Sequence, residues 1–187
     1  HAYHRRQRQM CIRDSPGPGD QMHTGHAGDY VDNQLIKEIM AKYNGAQITK
    51  DMARRWKEQY SFVSTSAPEE PVLVDFSIEG KAMTLDITDC MQRACESIVD
   101  PIVENVKKLI AGSNPEYHDE FRKNMVLAGG GSAIKGLGAL IERRLSDMGD
   151  VNVHVVDDPV RLGAMGGLRL AMEVPEDMWK NLTLASR

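Results

Sequence analysis

The segment NMVLAGGGSAIKGL, residues 124–137, constrains the fold more than any other stretch of the chain. A short apolar run precedes three consecutive glycines, and an amphipathic segment follows them, an order typical of a strand, a turn and a helix. Glycines remove the Cβ atoms that would hold a ligand away, and the start of a helix favours negative charge. The pattern predicts either a phosphate or nucleotide cradle, or a tight turn whose glycines serve close packing.

Two well-known phosphate motifs do not match this turn. The dinucleotide fingerprint needs glycines at its first, third and sixth positions, and counting from Gly129 the sixth residue is Ile134. The P-loop needs Gly-Lys followed by Ser or Thr, whereas Lys135 here precedes Gly136 and no hydroxyl follows. The residues alone therefore leave both interpretations of the glycines open.

Composition narrows the class of protein. The chain has 187 residues, of which 41% are hydrophobic, enough for one ordinary domain or two small ones with a real core. Its net charge of −4 gives no reason to expect a nucleic-acid partner, and no apolar run approaches the ~20 residues of a membrane span. Three unevenly spaced cysteines favour a reducing, cytosolic-type compartment over a disulfide scaffold.

The first fifteen residues, HAYHRRQRQMCIRDS, differ from the rest of the chain. They are basic and lack both a structural period and the apolar middle of a signal peptide. We interpret residues 1–15 as non-native or disordered, with a flexible native arm as the alternative, and residues 183–187 as a tail. His23 and His26 have ligand-like spacing, but they lack acidic or thiol neighbours, so we expect no metal site.

The remaining pattern predicts a mixed α/β chain. Period-two alternation indicates a hairpin, and apolar residues three and four apart indicate helices. The predicted elements are a helix over about 31–43, a helix over 49–60, strands Val72–Ile78 and Met83–Ile87, one long helix over 89–111 that is capped by Thr88 and bent at Pro101, strand Met125–Ala128, a helix through Leu145, strand Val151–Val156 and a last helix rich in small residues.

The order of these elements predicts a topology. Strand, helix, strand and helix at the end of the chain indicate an α/β unit with parallel strands. The hairpin and the long helix after it would form an insertion between two parts of that sheet. Gly163, Gly166 and Gly167 on the last helix predict close approach of another backbone.

Four segments resemble, in family order, the bacterial actin-like ATPases: HAGDYVDNQLIKEI, MARRWKEQYSFV, VLAGGGSAIKGL and DDPVRLGAMGGLRLA. The resemblance covers residues 16–182, and KEQYSFV, GGGSAIKGL and EVPEDMWKNL are most similar to the magnetosome-organising branch. The implied fold is α/β, the second domain of an actin-like (ribonuclease H-like) ATPase. Residues 16–60 and 124–182 would form its sheet-containing nucleotide side, and about 61–123 an inserted α+β hairpin-and-helix subdomain.

The resemblance also implies where a nucleotide would lie. The glycine turn would pass its bare backbone beside the adenosine, and the two residues after it would border the adenine. These implied contacts are Gly129, Gly130 and Gly131, Ser132 at the start of the following helix, and, as weaker candidates, Ala133 and Ile134.

A second set of implied contacts lies on the predicted helix over 49–60. Lys57 and Glu58 would reach the sugar or the base, with Glu58 accepting hydrogen bonds from hydroxyls, and Arg54 is a weaker candidate. Without the resemblance, Lys57 and Glu58 would be interpreted as an ordinary solvated charge pair.

The family's two phosphate loops, Asp-Leu-Gly-Thr and Asp-Ile-Gly-x-Gly-Thr-Thr, do not occur in the sequence. Because the groups that position magnesium and the attacking water belong to those loops, we expect no catalytic residue here. We interpret the chain as the C-terminal half of a longer parent protein. That parent is expected to bind ATP and Mg²⁺, to self-associate into cytoplasmic filaments, to hydrolyse ATP, and to organise magnetosomes together with magnetosome-associated proteins.

Two alternatives remain open. The chain could belong to another member of the actin superfamily, such as an MreB-like cell-shape actin, a plasmid-segregating actin or a sugar kinase. It could also be a non-catalytic interaction domain, in which the glycine turn is purely structural.

Overall fold

A computed structural model describes residues 21–78, 80–173 and 175. The expectations for residues 1–15 and 183–187, and for most of the segment EVPEDMWKNL, therefore lie outside the described residues. The helices are α1 (Gly28–Lys42), α2 (Lys50–Tyr60), α3 (Thr88–Glu96), α4 (Val99–Gly112), α5 (His118–Lys123), α6 (Leu137–Leu145) and α7 (Leu162–Glu173), and the strands are β1 (Leu73–Ile78), β2 (Lys81–Asp86), β3 (Met125–Leu127) and β4 (Val153–Val155).

The end of the first helix and the start of the second lie at local signals in the sequence. Helix α1 ends just before Tyr43, and Gly45 follows with a φ of 80°, as the Asn-Gly pair predicts. Helix α2 begins after Thr49, whose side chain accepts a hydrogen bond from the Met52 amide. This bond satisfies one of the orphan donors at the start of the helix.

Strands β1 and β2 form the predicted antiparallel hairpin, with Leu73 opposite Asp86. Val74 and Phe76 of β1 are buried, together with the preceding Val72, whereas Leu73 between them is exposed. Since successive side chains of a strand point to opposite faces, this alternation packs one face of the hairpin on the core.

Strands β3 and β4 pair in parallel, with Val126 opposite His154, as the strand–helix–strand order predicts. Helix α6 connects them and packs against β4 and α4. It lies close to the sheet, because a Cβ added at Gly138 would come within 2.8 Å of Val155 Cγ2. Both strands are shorter than the sequence predicts.

The predicted single helix over 89–111 is wrong. Helix α3 ends at Glu96 and α4 begins at Val99, so that Pro101 lies in the first turn of a new helix. A backbone amide in the first turn has no acceptor within the helix, so a proline there removes no hydrogen bond. Thr88 is not the cap either: Ile87 occupies the cap position, Thr88 is the first residue of α3, and its hydroxyl accepts from the Val72 amide at 2.8 Å.

The core is one cluster that joins the helices to the hairpin and to α6. Helix α1 packs against both α2 and α3, and its Leu35 and Ile39 are fully buried. Helix α7 differs, since it has no buried residue and its glycines have no heavy atom within 4 Å of an added Cβ. The predicted close approach to α7 is therefore not observed among the described residues.

Candidate functional site

The triple-glycine turn lies at the surface of the fold. A Cβ added at Gly129, Gly130 or Gly131 would meet no heavy atom within 4 Å. Gly129 has a φ of 86°, a conformation that L side chains rarely adopt, but the other two glycines do not have a positive φ. Backbone conformation therefore explains Gly129 alone, and neither conformation nor packing requires glycine at the next two positions.

Hydrogen bonds within the turn and to a neighbouring loop fix its shape. The Gly129 amide donates to the Pro159 carbonyl at 3.0 Å, which ties the turn to the loop after β4. The buried Ser132 hydroxyl donates to the Gly129 carbonyl at 2.7 Å. Ser132 thus faces inwards and holds the turn rather than presenting its hydroxyl to solvent.

The predicted helix start at Ser132 is wrong. Residues Gly130–Ala133 form a 3₁₀ turn, and α6 begins only at Leu137, after Gly136 with a φ of 80°. The intervening residues leave the helical path because they pair with a distant segment, as the bridge between Lys135 and Phe62 shows. The helix dipole argument consequently does not apply at the glycines, whose open backbone is the remaining feature.

The same pairing links the two predicted groups of contacts. The Val63 amide donates to the Lys135 carbonyl at 3.0 Å, and the Lys135 amide donates to the Ser61 carbonyl at 3.3 Å. The chain that leaves α2, directly after Lys57 and Glu58, is thereby fixed to the chain that leaves the glycine turn. A cleft of about 590 Å³ beside the turn is lined by residues from Ser132 onwards, but among the described residues Gly129–Gly131, Lys57 and Glu58 do not line it.

Lys57 is not a free surface charge. Its ammonium lies 2.6 Å from Asp32 Oδ1 and donates to the Gly28 carbonyl at 2.9 Å, and its side chain is 16% exposed. Among the residues that the structure describes, Glu58 has no ion-pair partner and lies exposed. The two neighbours therefore do not form the solvated pair that the isolated sequence suggests.

Asp32 is a functional candidate that the sequence reasoning missed. It is fully buried on α1, and Arg54 Nε lies 3.7 Å from its Oδ2. The Lys57 ammonium, 2.6 Å from Oδ1, is its ion-pair partner, and no neutral donor among the described residues bonds to either carboxylate oxygen. The available signal was a charged residue on the apolar stripe formed by Val31 and Leu35.

Several ionisable groups near this region have shifted pKa values. Hydrogen bonds from Lys50, followed by its positive charge, lower the pKa of the exposed Asp29. Burial raises the pKa of the Cys95 thiol to about 12, which keeps it protonated and unreactive.

Among the described residues, no three His, Cys, Asp or Glu side chains are placed to hold a metal ion.

The fold is that of an actin-like protein. It matches the structure of a non-polymerising MamK mutant bound to AMPPNP with a TM-score of 0.78 at 40% identity, over 85% of this chain and 48% of that one. It matches a MamK double helical filament with a TM-score of 0.80 at 40% identity, over 87% of this chain and 49% of that one.

Residues 21–178 match the model of the MreB/Mbl protein family, so the chain belongs to this family. It is 40% identical to the actin-like protein MamK of Paramagnetospirillum magneticum over 89% of its own length and 48% of the relative. It is 37% identical to MamK of Magnetospirillum gryphiswaldense over 89% of its length and 46% of the relative. The chain thus spans about half the length of the curated relatives it matches.

Proposed function

We propose that this chain is the adenosine-binding half of an ATP-binding, filament-forming actin homologue of the MamK type. The observation that carries the proposal is the 40% identity, across most of the chain, to MamK both with AMPPNP and in a filament. At such identity the fold and the features built on its backbone are expected to be shared. The organisation or anchoring of magnetosomes in the cytoplasm is proposed from the same relatives.

The glycine turn fits a nucleotide. Neither backbone conformation nor packing explains why residues 130 and 131 are glycines. The open space beside them is what a ligand lying against the backbone would require. Gly129, Gly130 and Gly131 would border the adenosine, and Ser132 would hold the turn in shape through its hydrogen bond to the Gly129 carbonyl. A side chain at either open position would occupy that space.

Lys57 and Glu58 would complete the nucleoside side of the site. Helix α2 carries both, and the pairing of Ser61 and Val63 with Lys135 holds its end against the chain after the glycine turn. Exposed Glu58 is suited to accept hydrogen bonds from the ribose hydroxyls. Residues 16–60 and 124–182 would form this nucleotide side, and about 61–123 the inserted subdomain.

ATP, once bound, supplies the phosphoanhydride bond whose hydrolysis would govern filament turnover. The residues of this chain would bind and orient the nucleoside, and groups elsewhere in the parent protein would hold Mg²⁺ and the phosphates. Because positioning and charge stabilisation provide most of the catalysis in phosphoryl transfer, this half alone would be inactive.

The test is assembly of the full-length parent protein. Purified protein is incubated with ATP, with AMPPNP or without nucleotide, and polymer is measured by sedimentation and electron microscopy, with phosphate release in parallel. We expect nucleotide-dependent filaments that persist with AMPPNP and turn over with ATP. Sedimentation that does not depend on nucleotide, or phosphorylation of an added sugar instead, would refute the proposal.

The family match favours one other function. The family model is described as MreB/Mbl, so an MreB-like cell-shape actin is the second candidate. Both candidates form filaments, so assembly does not separate them. A fluorescent fusion in the native host does: filaments along a chain of magnetosomes support the first, and filaments beneath the cell envelope in cells without magnetosomes support the second.

A further inference from the structure

Asp32 is a fully buried carboxylate whose partners are cations. It is 0% exposed, and no neutral donor among the described residues bonds to either of its oxygens. Its nearest cations are Lys57, 2.6 Å from Oδ1, and Arg54, 3.7 Å from Oδ2. A buried charge is unfavourable unless it is paired, so packing alone does not explain an aspartate here.

The geometry around Lys57 shows what the carboxylate does. An ammonium has three N–H donors, and one of them goes to the Gly28 carbonyl at 2.9 Å while Asp32 lies against another side of the group. The side chain is 16% exposed, and the third N–H has no protein acceptor among the described residues. Gly28 permits this approach, since a Cβ there would come within 3.2 Å of Lys57 Nζ.

We infer that Asp32 is a positioning residue for the nucleoside. It fixes the Lys57 ammonium and neutralises its charge, so that Lys57 offers an oriented N–H to an uncharged acceptor, such as a ribose hydroxyl or a purine ring nitrogen. A free lysine would instead offer a positive charge to a phosphate. The inference rests on the proposed function and specifies which part of the nucleotide this side of the site recognises.

A double-mutant cycle in the full-length parent protein tests the coupling. Asp32→Asn, Lys57→Gln and the double variant are compared with wild type for ATP affinity by calorimetry. At high salt, where the charges left by the single changes are screened, we expect about tenfold weaker binding for each single variant and about the same tenfold for the double, because both changes remove one oriented contact. Unchanged affinity of Asp32→Asn, or a roughly 100-fold loss in the double variant, would overturn the inference.

The salt dependence of ATP affinity supplies a readout that a purely structural role would not change. Asp32→Asn leaves an uncompensated positive charge near the triphosphate and should steepen the slope, whereas Lys57→Gln leaves an uncompensated negative charge and should flatten it. The double variant, like the wild-type pair, carries no net charge, so we expect it to keep the wild-type slope. A flatter slope for the double variant would mean that Lys57 acts as a free cation, contrary to the inference.

A matched control and a second variant keep the test decisive. Glu38→Gln removes another α1 carboxylate with an ion-pair distance of 2.6 Å, to Arg93, and should leave ATP affinity unchanged. If Asp32→Asn does not fold, the neutral pair in the double variant is compared with Lys57→Gln. Equal affinities support the inference, and a further loss of about fivefold or more contradicts it.

The two proposals fail in different ways. If the wild-type parent protein binds no ATP, the proposed function is wrong. If wild type binds ATP and Asp32→Asn binds it equally well, the proposed function stands and only the positioning role is wrong.

Discussion

Gly136→Ala should destabilise the fold strongly, although the glycine lies just outside the proposed contacts. Gly136 has a φ of 80°, in the left-handed region. A Cβ there would come within 2.6 Å of Thr65 Oγ1 and 2.7 Å of Ser66 Cβ. The Thr65 hydroxyl also donates to the Gly136 carbonyl at 2.7 Å, so it cannot move away without losing that bond.

The expected loss of stability is the sum of two costs, the strain of the left-handed backbone and the steric clash of the added methyl. The left-handed conformation costs an alanine roughly 1–2 kcal/mol. Forcing an extra methyl into a filled space costs typically about 1–3 kcal/mol. Together they predict a loss of roughly 2–5 kcal/mol, a large share of the ~5–15 kcal/mol that stabilises an ordinary domain.

Chemical denaturation of the full-length parent protein, followed by circular dichroism, measures this loss as a lower transition midpoint. Gly130→Ala is the matched control, because Gly130 has no positive φ and no atom within 4 Å of an added Cβ. It should change the free energy of unfolding by less than about 1 kcal/mol. Equal midpoints for Gly136→Ala and wild type would show that the contact with Thr65 and Ser66 is not tight.

Two further predictions concern groups away from the proposed site. Hydrogen bonds from the Thr88 hydroxyl and amide lower the pKa of Asp86. Its stabilising effect should therefore be complete above the unfolded value of 3.8 and should disappear as pH falls through the lower folded value. Asp86→Asn keeps a side-chain acceptor but loses its charge, so it should lose up to about 1 kcal/mol at pH 7, the difference between charged and neutral hydrogen bonds, and nothing near pH 2, in denaturation midpoints compared across pH. An equal difference at both pH values would contradict this. Buried Cys95, whose pKa is raised to about 12, should resist iodoacetamide at pH 8 in the native protein and react in urea, as peptide mass spectrometry would show; rapid native labelling would contradict its burial.

Local sequence patterns predicted the secondary structure correctly where the hydrophobic periodicity and the turn residues indicated the same boundaries. The alternation through Val74 and Phe76 predicted β1 and its buried face, and the Asn44-Gly45 pair predicted the end of α1. Pro101 was misinterpreted because a proline bends a helix in its middle and is harmless in its first turn, and the sequence does not show which applies. The apolar stripe continues across both helices, so the hydrophobic pattern does not show the break before Val99.

Long-range contacts decided what the sequence could not show about the site. Residues after the glycines leave the helical path because Lys135 pairs with the chain near Phe62, and no local pattern reports this pairing. The sequence identified the glycine turn and Lys57 as candidates, and those assignments remain proposals. It gave no weight to Asp32, although a carboxylate beside Val31 on an apolar stripe was visible.

The nucleotide affinity of Gly130→Val in the full-length parent protein tests the central claim most directly. A valine side chain fits the open space of the free protein, but it would occupy the volume assigned to the adenosine. Overpacking of about 1–3 kcal/mol corresponds to roughly 5–140-fold weaker ATP binding in calorimetry. Gly112→Val, at another glycine with no atom within 4 Å of an added Cβ, should bind like wild type. If Gly130→Val also binds ATP with wild-type affinity, no nucleotide lies against this turn.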